Sequence, residues 1–267
     1  MTGTTAPVAL VTGASSGIGA ATARALADRG VTVIATARRL DRLEAVVEDC
    51  RRGAPASDLV VCDLLEDGAA SRVVARATAL AGPIDVLVAC AGMPMRRRLA
   101  ALSMPDAREV MELNYMVPVA LTLEVLPQML ERQRGTIVLV SSLVGRLGNG
   151  GEAAYCASKS ALCGFAESAS VDLAGSGVEV RLILPGPIDT EMWDAPGQDP
   201  PAYDGERFAP ELVAACVCDA LSTTTVEHYV PDLKAIVEMK TSDFQGFRDG
   251  MIAALRDDEV HLPDDVA

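Results

Sequence analysis

The sequence predicts an α/β fold: a doubly wound parallel sheet of about seven strands with helices on both faces. Three observations carry that reading. Short apolar runs, often β-branched, recur at 8–11, 31–35, 59–62, 86–90, 137–140 and 178–184, such runs suit strands buried on both faces, and a seventh strand is expected near 227–231. Between them lie stretches of helical length with apolar residues at helical spacing, at 20–29, 41–51, 69–81, 106–132, 152–174, 210–222 and 233–255. A glycine-rich segment, Thr12-Gly13-Ala14-Ser15-Ser16-Gly17-Ile18-Gly19, closes the first run and opens the first helix. Strands alternating with helices through right-handed crossovers give a parallel sheet covered on each side.

Composition narrows the class. No linker or shift in composition divides the 267 residues, so a single domain over 1–267 is expected. Within it the proline-rich stretch 186–222 is expected to form a lid over the substrate, and the acidic 257–267 to fray. Half the residues are hydrophobic, yet glycine, proline and charge break the runs before any reaches the ~20 residues of a membrane span. The start of the chain carries no basic-then-apolar export signal, and the expected location is the cytoplasm. A net charge of −14 argues against nucleic acid as a partner, so Arg96-Arg97-Arg98 is expected to be a solvated loop. Seven cysteines fit reduced thiols, and two histidines without paired cysteine doublets supply no zinc site. No metal is expected.

Gly13, Gly17 and Gly19 lie between a strand and a helix. There, missing side chains let backbone N–H groups approach a pyrophosphate at the positive end of the helix. Ser15, Ser16 and Ile18 complete the candidate cradle. The spacing G-x-x-x-G-x-G differs from G-x-G-x-x-G, and no Gly-Lys-Ser/Thr follows as an NTPase loop requires. At the end of the second strand, where a carboxylate would hold a ribose 2′-hydroxyl and a cation a 2′-phosphate, stand Ala37, Arg38 and Arg39. Two guanidiniums and no carboxylate favour NADP(H) over NAD(H). Asp63, with Leu64 beside it, is placed to meet an adenine edge or to cap the following helix.

Tyr155 and Lys159 are four residues apart and share one helix face. A tyrosine of pKa ~10 acts near neutrality only beside a positive charge, which Lys159 can supply, most effectively with an oxidised nicotinamide alongside. Ser142 follows the fifth strand at the carboxyl edge of the sheet, where ligands bind, and its hydroxyl can hydrogen-bond a substrate oxygen. Ser141 is the competing candidate.

These motifs together resemble the short-chain dehydrogenase/reductase family in its compact, single-domain, Rossmann-like form, over roughly 7–190. The resemblance implies Tyr155 as general acid/base, Ser142 orienting the carbonyl or hydroxyl, and Lys159 lowering the tyrosine pKa while binding the nicotinamide ribose. It also implies Asn114 as the fourth catalytic position, holding a water that joins the lysine to solvent. Ala91, Gly92, Pro185, Gly186, Ile188 and Thr190 are implied cofactor contacts. The family's Asn-Asn-Ala-Gly after the fourth strand reads Ala89-Cys90-Ala91-Gly92 here. Cys90 is expected to fill the core position of an asparagine, with other groups replacing the lost amide hydrogen bonds.

The expected activity is hydride transfer between a nicotinamide and a carbonyl or secondary alcohol. Met93, Leu143, Val144 and Trp193 are the candidate substrate pocket, with Met95, Leu147 and Met192 nearby. They equally suit lid packing, and they leave the substrate class open. The alternatives are an NAD(H)-preferring alcohol dehydrogenase, a nucleotide-binding regulator or scaffold without turnover, and an epimerase or dehydratase. The last of these needs an extra substrate domain for which the chain is too short. The family also implies a homodimer or homotetramer through helices 106–132 and 152–174.

Overall fold

The computed structural model describes residues 6–257. All but the first residue of the expected acidic tail, 257–267, lies outside the described residues. Seven strands form one parallel sheet in the order β3-β2-β1-β4-β5-β6-β7. They are β1 (Val8–Thr12), β2 (Thr32–Ala37), β3 (Asp58–Val61), β4 (Val86–Ala89), β5 (Gly135–Val140), β6 (Val178–Pro185) and β7 (Glu227–Val230). Every residue of β1, β2 and β4 is buried, as continuous apolar runs in a parallel sheet require. The strand order reverses between β1 and β4, and the cleft of a doubly wound sheet opens at the carboxyl ends of such a switch point.

Helices α1 (Gly17–Ala27), α2 (Leu40–Gly53) and α7 (Pro210–Ala220) cover one face, packing Leu26, Leu43, Val47, Val213 and Val217 onto the sheet. Helices α3 (Ala69–Ala81), α5 (Val117–Glu131) and α6 (Ala153–Asp172) cover the other, with Val73, Leu121, Val125 and Leu162 buried.

The helix expected at 106–132 is three pieces. It starts at α4 (Met104–Met111), where the Ser103 hydroxyl accepts from the Asp106 N–H and the Asp106 carboxylate accepts from the Ser103 N–H, a capping box. A π-helical turn, Glu112–Met116, then joins it to α5, and the Val117 N–H bonds the Glu112 carbonyl five residues back. Pro118 explains the widening: it has no N–H to return to the carbonyl of Asn114. The reading that no segment reaches membrane-spanning length needs correction, because Met104–Glu131 spans 28 residues and is apolar enough to pass that test. Here Val110, Leu121, Val125 and Met129 on this run are fully buried within the chain's own core.

The helix expected at 233–255 is two, α8 (Lys234–Ser242) and α9 (Phe244–Asp257). Asp243 leaves helical geometry between them and accepts from the Gly246 N–H through its side chain at 2.9 Å. A short aspartate competing for a nearby backbone N–H favours a break of this kind. After β6 the chain leaves the sheet and returns where Ile188 pairs with Phe208, closed by Asp189 N–H to Phe208 O and Phe208 N–H to Pro187 O, both 2.8 Å.

Candidate active site and nucleotide cleft

The β1–α1 turn is shaped by what its glycines omit. Gly13 has φ +67°, and a Cβ there would stand 2.8 Å from the Ala91 Cα; a Cβ on Gly19 would stand 2.4 Å from the Gly13 carbonyl oxygen. Gly17, at φ +53°, faces the Thr190 methyl. Ser16 occupies the N-cap of α1 but its side chain caps nothing, so the first N–H groups of the helix stay open to an anion. A cleft of about 350 Å³ beside them is lined by Ser15, Ser16, Gly17, Arg24, Arg42 and Glu191, among others. Uncapped donors and a backbone with no room for a Cβ fit the pyrophosphate of a dinucleotide.

At the end of β2 the two arginines diverge. Arg39 donates to the Ser15 hydroxyl at 3.1 Å, the Ser16 hydroxyl at 2.7 Å and the Glu191 carboxylate at 2.7 Å. Arg38 lies 3.5 Å from the Asp63 carboxylate, which also accepts from the Leu65 N–H at 3.1 Å. Of the two readings of Asp63, helix capping is excluded, since the residue before α3 is Gly68. Leu64 is buried.

The catalytic candidates converge at the carboxyl edge of β4, β5 and β6. Helix α6 carries Tyr155 and Lys159, and the lysine Nζ lies 5.9 Å from the tyrosine ring centroid while donating to the Val140 carbonyl at 3.1 Å. Lys159 is buried, and loss of water pushes its pKa down to about 8. Burial, followed by the nearby Glu152 charge, pushes the Tyr155 phenol up, against a hydrogen bond from Ser142 that favours its ionised form. The lowering expected from Lys159 is therefore not what the protein alone produces, since burial drives the phenol the other way. Ser141 is no longer a competitor, because its hydroxyl donates to the Lys159 carbonyl at 2.9 Å and lies 3.3 Å from the Cys163 sulfur. The Ser142 hydroxyl also makes two longer contacts, accepting from Val144 N–H at 3.3 Å and donating toward Pro185 O at 3.4 Å.

Asn114 sits in the π-helical turn and is fully buried. Its amide donates to Met93 O at 3.0 Å and to the Ser158 hydroxyl at 3.1 Å, and its carbonyl accepts from Met93 N–H at 2.9 Å. The side chain thereby pins the strand exit, and Gly92 lies close against it, since a Cβ there would stand 3.2 Å from Asn114 Oδ1 and in ordinary contact, 3.6 Å, with Lys159 Nζ. Cys90 packs against the core, its thiol pushed up to about 12 by burial. The groups that hold this exit include one the sequence reading missed: the Thr12 hydroxyl accepts from both Cys90 N–H and Ala91 N–H at 3.0 Å.

Arg96 corrects the solvated-loop expectation. It is 5% exposed, and its guanidinium donates to the backbone carbonyls of Met192, Trp193 and Asp199 at 3.0, 2.7 and 2.9 Å. Arg98 is exposed as expected. The arginine triplet alone carries no signal for this burial, because its partners lie about one hundred positions later.

Among the substrate-pocket candidates, Met93 packs against the cluster of Met95, Val110 and Ala154, as Tyr155 does. Leu143 is buried and Val144 half-buried directly after Ser142. Trp193 turns into its own segment, with its indole N–H on the Ile188 carbonyl at 2.6 Å, Arg207 4.4 Å above the ring and the Tyr203 ring 6.1 Å away. Met192 is the residue at the tyrosine, its sulfur 4.0 Å from the phenol oxygen. Gly186 N–H bonds Val230 O at 2.8 Å, which fixes the Pro185-Gly186 turn next to Ser142.

A family model described as short chain dehydrogenase matches residues 7–200, and the chain belongs to that family of oxidoreductases. It is 41% identical over 184 residues to an uncharacterized oxidoreductase of Myxococcus xanthus, covering 69% of this chain and 73% of that one. It is 34% identical over 192 residues to the 3-oxoacyl-acyl-carrier-protein reductase FabG of Escherichia coli, covering 72% and 78%. A short-chain dehydrogenase from Sphingobium yanoikuyae, solved in complex with NADPH, superposes with a TM-score of 0.79 at 25% identity, covering 97% of this chain and 99% of that one.

Proposed function

We propose that this chain is an NADP(H)-dependent carbonyl reductase, or in reverse a secondary-alcohol dehydrogenase, with Tyr155 as its proton donor and acceptor. The observation that carries the reading is the meeting of Ser142, Tyr155 and Lys159 at the carboxyl edge of the sheet, against a glycine cradle whose helix donors are uncapped. Gly13, Gly17, Gly19 and the α1 N-terminus hold the pyrophosphate, Arg39 with Arg38 receives the 2′-phosphate, and Lys159 takes the nicotinamide ribose. When bound, the reduced nicotinamide supplies the hydride.

The protein's part is orientation and proton transfer. Ser142 holds the substrate oxygen by a hydrogen bond, and Tyr155 donates a proton to that oxygen as the carbonyl becomes an alcohol. A phenol pushed up by burial keeps its proton at neutral pH, which suits the reducing direction. Lys159, near pKa 8, stabilises the phenolate left behind and helps return its proton. Met93, Leu143 and Met192 make the substrate side apolar, so a hydrophobic ketone is the substrate class this reading favours, and the NADPH complex of the Sphingobium relative agrees with the cofactor choice. We place the enzyme in the cytoplasm as a homo-oligomer. Exposed Met116, Leu123 and Val171 on α4–α6 support such pairing, which light scattering reads directly.

The test is Tyr155→Phe. NADPH binding, read by fluorescence titration, should persist, while ketone reduction, read at the reduced-nicotinamide absorbance, falls by about two to four orders of magnitude. Rates near wild type would overturn the acid/base role. A wild type that binds NADPH and turns over no ketone or alcohol in a broad panel would favour a regulator.

A further inference from the structure

One charged cluster remains outside this account. The segment that leaves β6 runs over the cradle, with the Thr190 methyl facing Gly17, and the next residue, Glu191, reaches back to α2. Its two carboxylate oxygens are divided between two guanidiniums: one accepts from Arg39 at 2.7 Å and the other from Arg42. Arg39 also reaches the hydroxyls of Ser15 and Ser16. Two cations therefore share one carboxylate at the mouth of the nucleotide cleft, leaving one positive charge uncompensated among these three groups.

Resting on the NADP(H) reading, we propose that Glu191 is an internal counter-ion which occupies the anion site of Arg39 and Arg42 until the cofactor's 2′-phosphate displaces it, making Glu191 and Arg42 determinants of cofactor specificity. A phosphate carries close to two negative charges and three acceptor oxygens. It matches two guanidiniums better than one carboxylate does, and bidentate guanidinium–phosphate contacts are the stronger kind. A ribose bearing only a 2′-hydroxyl is neutral and cannot compete for the pair. Glu191 thus holds both arginines assembled, at the expense of some affinity for the phosphorylated nucleotide that must displace it. The two arginines also draw the Glu191 carboxyl below its usual range, so the counter-ion is present across the physiological range.

Trp193, the chain's single tryptophan, lies two residues from Glu191 and reports on this segment. The experiment titrates wild type and Glu191→Gln with adenosine 2′,5′-bisphosphate and adenosine 5′-monophosphate, neither of which carries a nicotinamide, following calorimetric heat and Trp193 emission. Removing a competing exposed ion pair should tighten bisphosphate binding roughly fivefold, leave monophosphate binding within about twofold, and shift the free variant's emission toward that of the bisphosphate-bound wild type. Bisphosphate binding in Glu191→Gln that is unchanged or weaker, or a monophosphate gain equal to the bisphosphate gain, would overturn the proposal. If wild type itself fails to prefer bisphosphate to monophosphate, the NADP(H) reading falls and takes this proposal with it. A retained preference with no response to Glu191→Gln removes the counter-ion alone.

Discussion

Lys159→Met isolates the energetic cost of the buried ammonium. Burial lowers the Lys159 pKa from 10.5 to about 8 in the folded protein, and each pKa unit corresponds to about 1.4 kcal/mol. The charged lysine therefore costs the fold on the order of 3 kcal/mol. The sign follows from proton counts. Below pH 8 both folded and unfolded chains hold the proton and the full cost is present. Between about 8 and 10.5 the unfolded chain holds it and the folded one does not, so stability rises with pH; above 10.5 the cost is gone. Methionine removes the charge but leaves the Val140 carbonyl, now bonded at 3.1 Å, without its donor, a loss of about 1 kcal/mol. The variant should then be more stable than wild type by about 2 kcal/mol at pH 7 and less stable by about 1 kcal/mol above pH 10.5. Urea unfolding of both nucleotide-free proteins at the two pH values measures it. A stability difference that is the same at both would refute the claim that the folded protein desolvates this ammonium.

Two further substitutions test the cradle and the segment above it. In Gly19→Ala the new methyl meets the Gly13 carbonyl oxygen at 2.4 Å, so the β1–α1 turn must move; a stability loss of about 1–3 kcal/mol in urea and a NADPH affinity at least about tenfold weaker are expected, and wild-type affinity would contradict the close-packed cradle. Arg96→Met strips donors from the carbonyls of Met192, Trp193 and Asp199, an expected loss of about 1–3 kcal/mol concentrated in 189–207. Limited proteolysis should cut that segment faster than in wild type, and an unchanged cleavage rate would show that Arg96 does not hold it.

The sheet was legible because most of its buried strands are short runs dominated by apolar residues, a pattern written locally in Val8–Thr12 and Val86–Ala89. The cradle was legible because a glycine is required wherever backbone approaches backbone, as Gly13 approaches Ala91. Local chemistry also explains two departures afterwards: Pro118 lacks the N–H that would continue the helix past Asn114, and Asp243 competes for a backbone donor between α8 and α9.

What the sequence by itself determined is the order of strands and helices, the glycine turn, and the Tyr155–Lys159 pairing, all set by contacts within a few residues. Tertiary structure decided the rest, because the partners are far apart in the chain. Arg96 is buried only because carbonyls from the segment after β6 fold over it, Met192 rather than Trp193 reaches the phenol because Trp193 is tied to Ile188, and Arg39 meets Glu191 across the cleft. The protonation of Tyr155 and Lys159 belongs to the same class. Spacing brings the two groups together, but the loss of water around them, which drives the phenol up and the ammonium down, exists only once the whole core has closed.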